Sequence, residues 1–377
     1  MKLNIFGRTF GTTVSVAAIA ALTLAGCGSD NNVPAGSSNA GVAAGSAADC
    51  AGKNSVTAEG STAQQNAIAL FNQVWSQKCQ GKNLSYNPTG SGAGREQFVA
   101  GNVDVAGSDS VIKDEQAAQA AKRCGGNPVW NLPLVFGPIA MAYNLEGVDG
   151  LVLDGDTLAK IFQGQITAWN DPAITALNDG KALPDSKITP IFRSDSSGTT
   201  DNFQKYLEAA SGGAWAKGDG SEFQGGAGEG AQKSAGVAQA VQSTPGAIGY
   251  VEKGFADQAG IPYAQIDNGG GPVALTDESA GKAIDAAQFA AEGNDLALDL
   301  GSLYGTQEPG AYPLVLATYE IVCSNGYDAE TADAVKSFLT VAANDGQADL
   351  SAAGYVPLPE KFKERLLTSI EAIGSTA

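Results

Sequence analysis

The chain has 377 residues, 43% of them hydrophobic and 49 of them glycine, which is enough for two domains with cores of their own. With 22 Lys+Arg against 40 Asp+Glu the net charge is −18, so no basic face remains for a nucleic-acid partner. There is no histidine, which excludes Ser-His-Asp and Cys-His nucleophiles and His-ligated metal; a Ser-Lys or carboxylate mechanism stays open, but no catalytic residue, metal or cofactor is expected.

In chain order, the first 27 residues read as an export signal. Lys2 and Arg8 form a basic start, and Val14 to Leu24 is apolar but too short for a stop-transfer span. Leu24-Ala25-Gly26-Cys27 then leads small residues into a cysteine. This resembles a bacterial lipoprotein signal, in which Cys27 is lipidated and becomes the mature N-terminus. Residues 28–49, rich in Gly, Ala, Ser and Asn, read as a flexible tether. The remaining cysteines, Cys50, Cys79, Cys124 and Cys323, suggest two disulfides in an exported chain, with all three pairings open.

After the tether, strand-like and helix-like stretches alternate, which argues an α/β fold. Strands are expected at Ser55 to Ala58, Asn83 to Asn87, Val103 to Ala106 and Ile188 to Phe192. Helices are expected at Ala63 to Cys79, Gly94 to Ala100, Asp114 to Ala121 and Asp201 to Ala210, with a helical tail at Ala329 to Ile373 broken by Pro357 and Pro359; Thr157 to Phe162 and Gly236 to Tyr250 are further ordered segments of unassigned type. Ser211 to Gly230 reads as a solvated glycine-rich loop. Two long apolar runs, Val129 to Asn144 and Tyr312 to Cys323, suit a chain crossing between lobes. The expected organisation is therefore lobe I from 50–141 plus 314–377 and lobe II from 142–313, with the ligand cleft at the carboxyl ends of strands.

Four strand-like runs end in the same chemistry. Gly60-Ser61-Thr62-Ala63, Gly90-Ser91-Gly92-Ala93-Gly94 and Gly107-Ser108-Asp109-Ser110 follow the first three, and Arg193-Ser194-Asp195-Ser196-Ser197-Gly198-Thr199-Thr200 follows the fourth. Each alone is also a helix cap or tight turn. Arg95 stands where the third glycine of a dinucleotide loop belongs, so no nucleotide is indicated. Together the clusters offer hydroxyls, helix-start N–H groups and one guanidinium, the donors that hold a small oxyanion. Asp109 is an acceptor among donors. A carboxylate there accepts a hydrogen bond from an oxyanion that still carries a proton and repels one that does not. Arg193 would supply compensating charge, with Asp195 orienting it.

On these motifs, and on Ile166-Thr167-Ala168-Trp169-Asn170-Asp171-Pro172 and Pro245-Gly246-Ala247-Ile248-Gly249-Tyr250-Val251-Glu252, the chain resembles the phosphate-binding proteins of bacterial phosphate ABC importers. The resemblance covers nearly all of the mature chain. It implies a two-lobed, class II periplasmic-binding-protein fold with two hinge crossings. It also implies phosphate contacts at Thr62, Ser91, Asp109, Arg193, Ser197, Gly198 and Thr199, with the backbone N–H of Ala63. Two positions depart from the family, which often has a larger residue at Ala63 and a glycine at Ser196. The implied protein is a non-enzymatic monomer, lipid-anchored through Cys27 to the outer face of the membrane. It would hand inorganic phosphate to permease subunits and their ATPase. The alternatives are a receptor for sulfate or molybdate, a secreted phosphatase-like enzyme, and a surface adhesin that keeps the fold.

Overall fold

The computed structural model describes residues 50–290 and 292–376; the export signal 1–27, Cys27 and the tether 28–49 lie outside them. The first third of the described chain contains β1 (Ser55–Gly60), α1 (Gln65–Lys78), β2 (Asn83–Pro88), α2 (Ser91–Val99), β3 (Val105–Ser108), α3 (Asp114–Arg123) and β4 (Val129–Tyr143). The middle contains β5 (Val152–Asp154), α4 (Gly155–Phe162), α5 (Pro172–Leu177), β6 (Thr189–Arg193), α6 (Gly198–Ala210), β7 (Glu229–Ala231), α7 (Lys233–Ser243), β8 (Ala247–Glu252) and α8 (Lys253–Ala259). There follow β9 (Gln265–Asp267), β10 (Pro272–Val273), α9 (Asp277–Ala286), β11 (Gln288–Phe289), β12 (Leu298–Asp299) and α10 (Gly301–Tyr304). The chain closes with β13 (Val315–Cys323), α11 (Ala329–Asn344) and α12 (Glu360–Glu371).

Eight strands form one sheet in the order β2-β1-β3-β13-β4-β8-β6-β7. At one end β1 pairs in parallel with β2 and β3, and at the other β6 pairs in parallel with β7 and β8. Parallel neighbours need crossovers, which the helices supply on the sheet faces. Thus α1 lays Ala67, Ile68, Phe71 and Trp75 inward, one face of a 3.6-residue period. Between the two ends run the antiparallel strands β13 and β4. β4 pairs with β13 from Val129 to Pro138 and then with β8 from Ile139 to Tyr143. Every residue of β4 but Trp130 is buried, which explains its unbroken apolar run. Pro133 is tolerated where the register shifts opposite Thr318 and Tyr319.

Two disulfides settle the pairing left open by the sequence: Cys50–Cys79 ties the segment before β1 to the end of α1, and Cys124–Cys323 ties the end of α3 to the end of β13. The stretch 211–230 is largely exposed and has no helix or strand before β7, as a solvated loop should be, but two aromatic side chains anchor it. Trp215 is 2% exposed, and Phe223 stacks on Phe192 with ring centroids 4.4 Å apart, so aromatic burial folds this glycine-rich stretch onto β6 and α6. Two helices start earlier than their apolar periodicity indicated, α2 at Ser91 and α6 at Gly198. Their first turns are rich in Ser, Gly and Thr, residues that periodicity does not register and that belong to the candidate site.

Candidate anion-binding site

The site assembles where β1, β2, β3, β6 and β7 end. Asp109 follows β3 and is 2% exposed. Its Oδ1 accepts from Thr318 Oγ1 at 2.6 Å and Ser61 Oγ at 2.7 Å, and its Oδ2 accepts from Ser61 Oγ at 2.8 Å and Ser91 Oγ at 3.0 Å. Burial pushes the Asp109 carboxyl up to about 6, the nearby charge of Glu252 adds to the rise, and the hydrogen bonds from Thr318, Ser61 and Ser91 hold it back. Asp109 is thus neither a helix cap nor the partner of a basic residue. It is a buried acceptor gripped by hydroxyls from three strand ends or strands.

Arg193, the last residue of β6, is 3% exposed. Its Nε donates to Asp195 Oδ1 at 2.8 Å while Nη2 donates to Asp195 Oδ2, a two-pronged pair that fixes the guanidinium plane. Burial works against the ionisation of Asp195, but hydrogen bonds and charge from Arg193, with the Lys233 N–H, outweigh it and hold the carboxyl below its ordinary value. Nη1 remains for the cleft and reaches Ser234 Oγ at 3.3 Å. Behind this wall, the Tyr250 hydroxyl accepts from Arg193 N at 3.0 Å and meets Thr200 Oγ1 at 2.8 Å, while its ring stacks on Phe203. An aromatic cluster therefore fixes β6 against the start of α6.

At that start, Ser197 Oγ caps the helix by accepting from Thr200 N at 3.2 Å. The N–H groups of Gly198 and Thr199 belong to the first turn, where no preceding carbonyl takes them. The positive end of this 13-residue helix faces Asp109 and Ser91. The approach is close enough to explain Gly198: a Cβ there would lie 2.6 Å from both Asp109 Cβ and Ser91 Oγ.

All eight expected residues come together. Thr62 Oγ1 lies 2.8 Å from Ser234 Oγ and accepts from Ser234 N at 3.3 Å, joining the β1 end to the start of α7. The Ala63 N–H donates to Ser61 Oγ at 3.0 Å, so it supports Ser61, the donor to Asp109. Thr199 Oγ1 donates to Glu252 Oε1 at 2.6 Å. Four contributors escaped the sequence reading of ligand contacts. Ser61 was visible in its motif. Thr318 lies mid-strand on β13, Ser234 starts a helix without a cap signal, and Asn202 looks like an ordinary helix residue. Among the described residues no group of three or more His, Cys, Asp or Glu side chains is placed to hold a metal.

A sheet whose strand ends converge on buried hydroxyls, a helix start and one guanidinium defines a periplasmic-type solute-binding protein. The PBP superfamily domain model matches residues 41–345. The phosphate-binding protein PstS 3 of Mycobacterium tuberculosis (strain ATCC 25618 / H37Rv) is 50% identical over 375 residues, covering 99% of this chain and 100% of the relative. The phosphate-binding protein PstS of Pasteurella multocida is 32% identical over 82% of this chain and 88% of its own length. Among solved structures, a human phosphate binding apolipoprotein superposes with a TM-score of 0.67 at 21% identity, covering 83% of this chain and 93% of the other, a likeness of fold. The chain belongs to the PBP superfamily and, within it, to the phosphate-binding protein family of these bacterial relatives.

Proposed function

We propose that the chain is a phosphate receptor, anchored outside the cell membrane by lipid on Cys27, that delivers inorganic phosphate to an ABC permease and its ATPase. The observation that carries this reading is Asp109: one buried carboxylate, held by three hydroxyls, against the donor end of α6. Hydroxyls and N–H groups would hold most oxygens of a tetrahedral ligand, and Asp109 would accept the proton of the remaining one. Charge-assisted hydrogen bonds contribute about 1.5–3 kcal/mol each, so several reach the roughly −8 kcal/mol of a micromolar ligand after association costs. The contacts would be Thr62, Ser91, Asp109, Arg193, Ser197, Gly198 and Thr199. Phosphate would bridge lobe I (50–141 plus 314–377) and lobe II (142–313), favouring closure and presentation to the permease as a monomer.

The basic start, short apolar stretch and Leu24-Ala25-Gly26-Cys27 support export and lipidation. Membership in a solute-binding family and the absence of histidine support binding without catalysis. The test is calorimetric titration with phosphate, arsenate, sulfate and molybdate. Micromolar or tighter phosphate binding with weak sulfate and molybdate binding is expected. Equal affinity for sulfate, or turnover of a phosphomonoester with added divalent metal, would overturn the proposal.

A further inference from the structure

Asn202 is 1% exposed on α6, one turn beyond Gly198. Its Nδ2 donates to two carbonyl oxygens at 2.7 Å each, that of Asp109 and that of Gly198. Its Oδ1 accepts from the Tyr304 hydroxyl. These three partners fix the amide: the reverse orientation would set Oδ1 against two carbonyls. One side chain therefore links the backbone of the acceptor segment after β3 to the first turn of the donor helix.

Tyr304 is itself held. Asn268 Nδ2 donates to its carbonyl at 3.1 Å, and Tyr206 donates to Asn268 Oδ1 at 3.0 Å. Just before α10, Leu298 N donates to the Tyr319 hydroxyl at 3.2 Å, and Asp295 accepts from Asn131 N on β4 at 2.7 Å. Residues 295–304 thus run from the β4 side of the sheet to α6. Asn202 and Tyr304 also line a cavity of about 570 Å³ beside Asp109, so loss of the tyrosine hydroxyl leaves room for water.

We propose that Asn202, oriented by Tyr304, is a positioning residue that sets the spacing between Asp109 and the first turn of α6, and thereby the selection of a protonated oxyanion over an unprotonated one. The spacing has little slack, because Gly198 already lies against Asp109 and Ser91. The selectivity part of the inference rests on the phosphate reading, and the spacing part stands without it.

The test uses the full chain in mild detergent, with Asn202→Asp, Tyr304→Phe and the double variant. Asn202→Asp keeps the shape but removes both N–H donors; Tyr304→Phe removes one hydroxyl and adds no charge. Phosphate Kd should rise about 30-fold or more for Asn202→Asp and about 3–10-fold for Tyr304→Phe, with the double variant no weaker than Asn202→Asp. The phosphate-to-sulfate affinity ratio should fall about tenfold in Asn202→Asp, a change that partial unfolding, which weakens both anions alike, does not produce. Hydrogen exchange without added anion should quicken in 105–112 and 196–204 together in Tyr304→Phe, which also serves if Asn202→Asp does not fold. An unchanged ratio, or exchange that quickens only around 298–306, would overturn the inference. A parent chain that binds no phosphate refutes the receptor reading instead, and the exchange result alone then decides the spacing.

Discussion

If Asp109 is the ligand's acceptor, sulfate binding should depend on pH. Its carboxyl is raised from 3.8 to about 6, chiefly by burial. Above that value it is a charged acceptor that repels an anion without a proton, and below it the carboxyl carries a proton and donates. The protonated fraction is about 3% at pH 7.5 and about 90% at pH 5, so sulfate affinity should rise about 30-fold between them, or ~2 kcal/mol. Asp109→Asn, which always offers a donor, should show no such rise, and dividing parent by variant removes any general effect of net charge. The same shift has a stability sign. The folded carboxyl ionises at a higher pH than the unfolded one, so stability is lost as pH rises from 3.8 to about 6. Ligand-free Asp109→Asn should therefore be more stable than the parent at pH 7.5, by up to about 3 kcal/mol, and equal to it near pH 3.5. Calorimetric sulfate titration at pH 5, 6 and 7.5, with urea unfolding of both proteins, checks both. A flat sulfate profile in the parent, or the same slope in the variant, would refute the assignment of the acceptor to Asp109.

Other perturbations separate folding from binding. Gly198→Ala places a Cβ 2.6 Å from both Asp109 Cβ and Ser91 Oγ, so it should lower stability in urea unfolding by about 1–3 kcal/mol and, in the protein that remains folded, weaken phosphate at least 100-fold by titration. Arg193→Lys replaces a fork with a point charge that cannot hold both oxygens of Asp195 and also serve the cleft, so phosphate Kd should rise about 10–100-fold. Replacing Cys124 and Cys323 together by serine opens a link across 199 residues and should lower stability by about 2–5 kcal/mol in urea unfolding, with phosphate affinity in the folded protein unchanged.

Much of this was legible because strand ends carry the chemistry. The clusters at Thr62, Ser91, Asp109 and Arg193 each sit where a strand stops, and β6 runs opposite to β1, β2 and β3, so the two sets of stops face each other. Asn202 and Ser234 were not legible in the same way. Each lies inside a helical pattern, and its importance arises from a partner far along the chain: Asp109 is 93 residues from Asn202, and Thr62 is 172 from Ser234. Thr318 was hidden for a related reason. It belongs to a fully buried antiparallel strand, where a threonine reads as β-former and only the neighbour β3 makes it a donor to Asp109. Composition read the loop 211–230 correctly as largely exposed, and only its anchoring by buried Trp215 and half-buried Phe223 was not legible.

A crystal structure grown with phosphate tests the central claim most directly. The expected result is one tetrahedral anion enclosed by Thr62, Ser91, Arg193 and Ser197 to Thr199, with a single oxygen within hydrogen-bond distance of Asp109. An anion bound with no oxygen within hydrogen-bond distance of Asp109 would contradict the account.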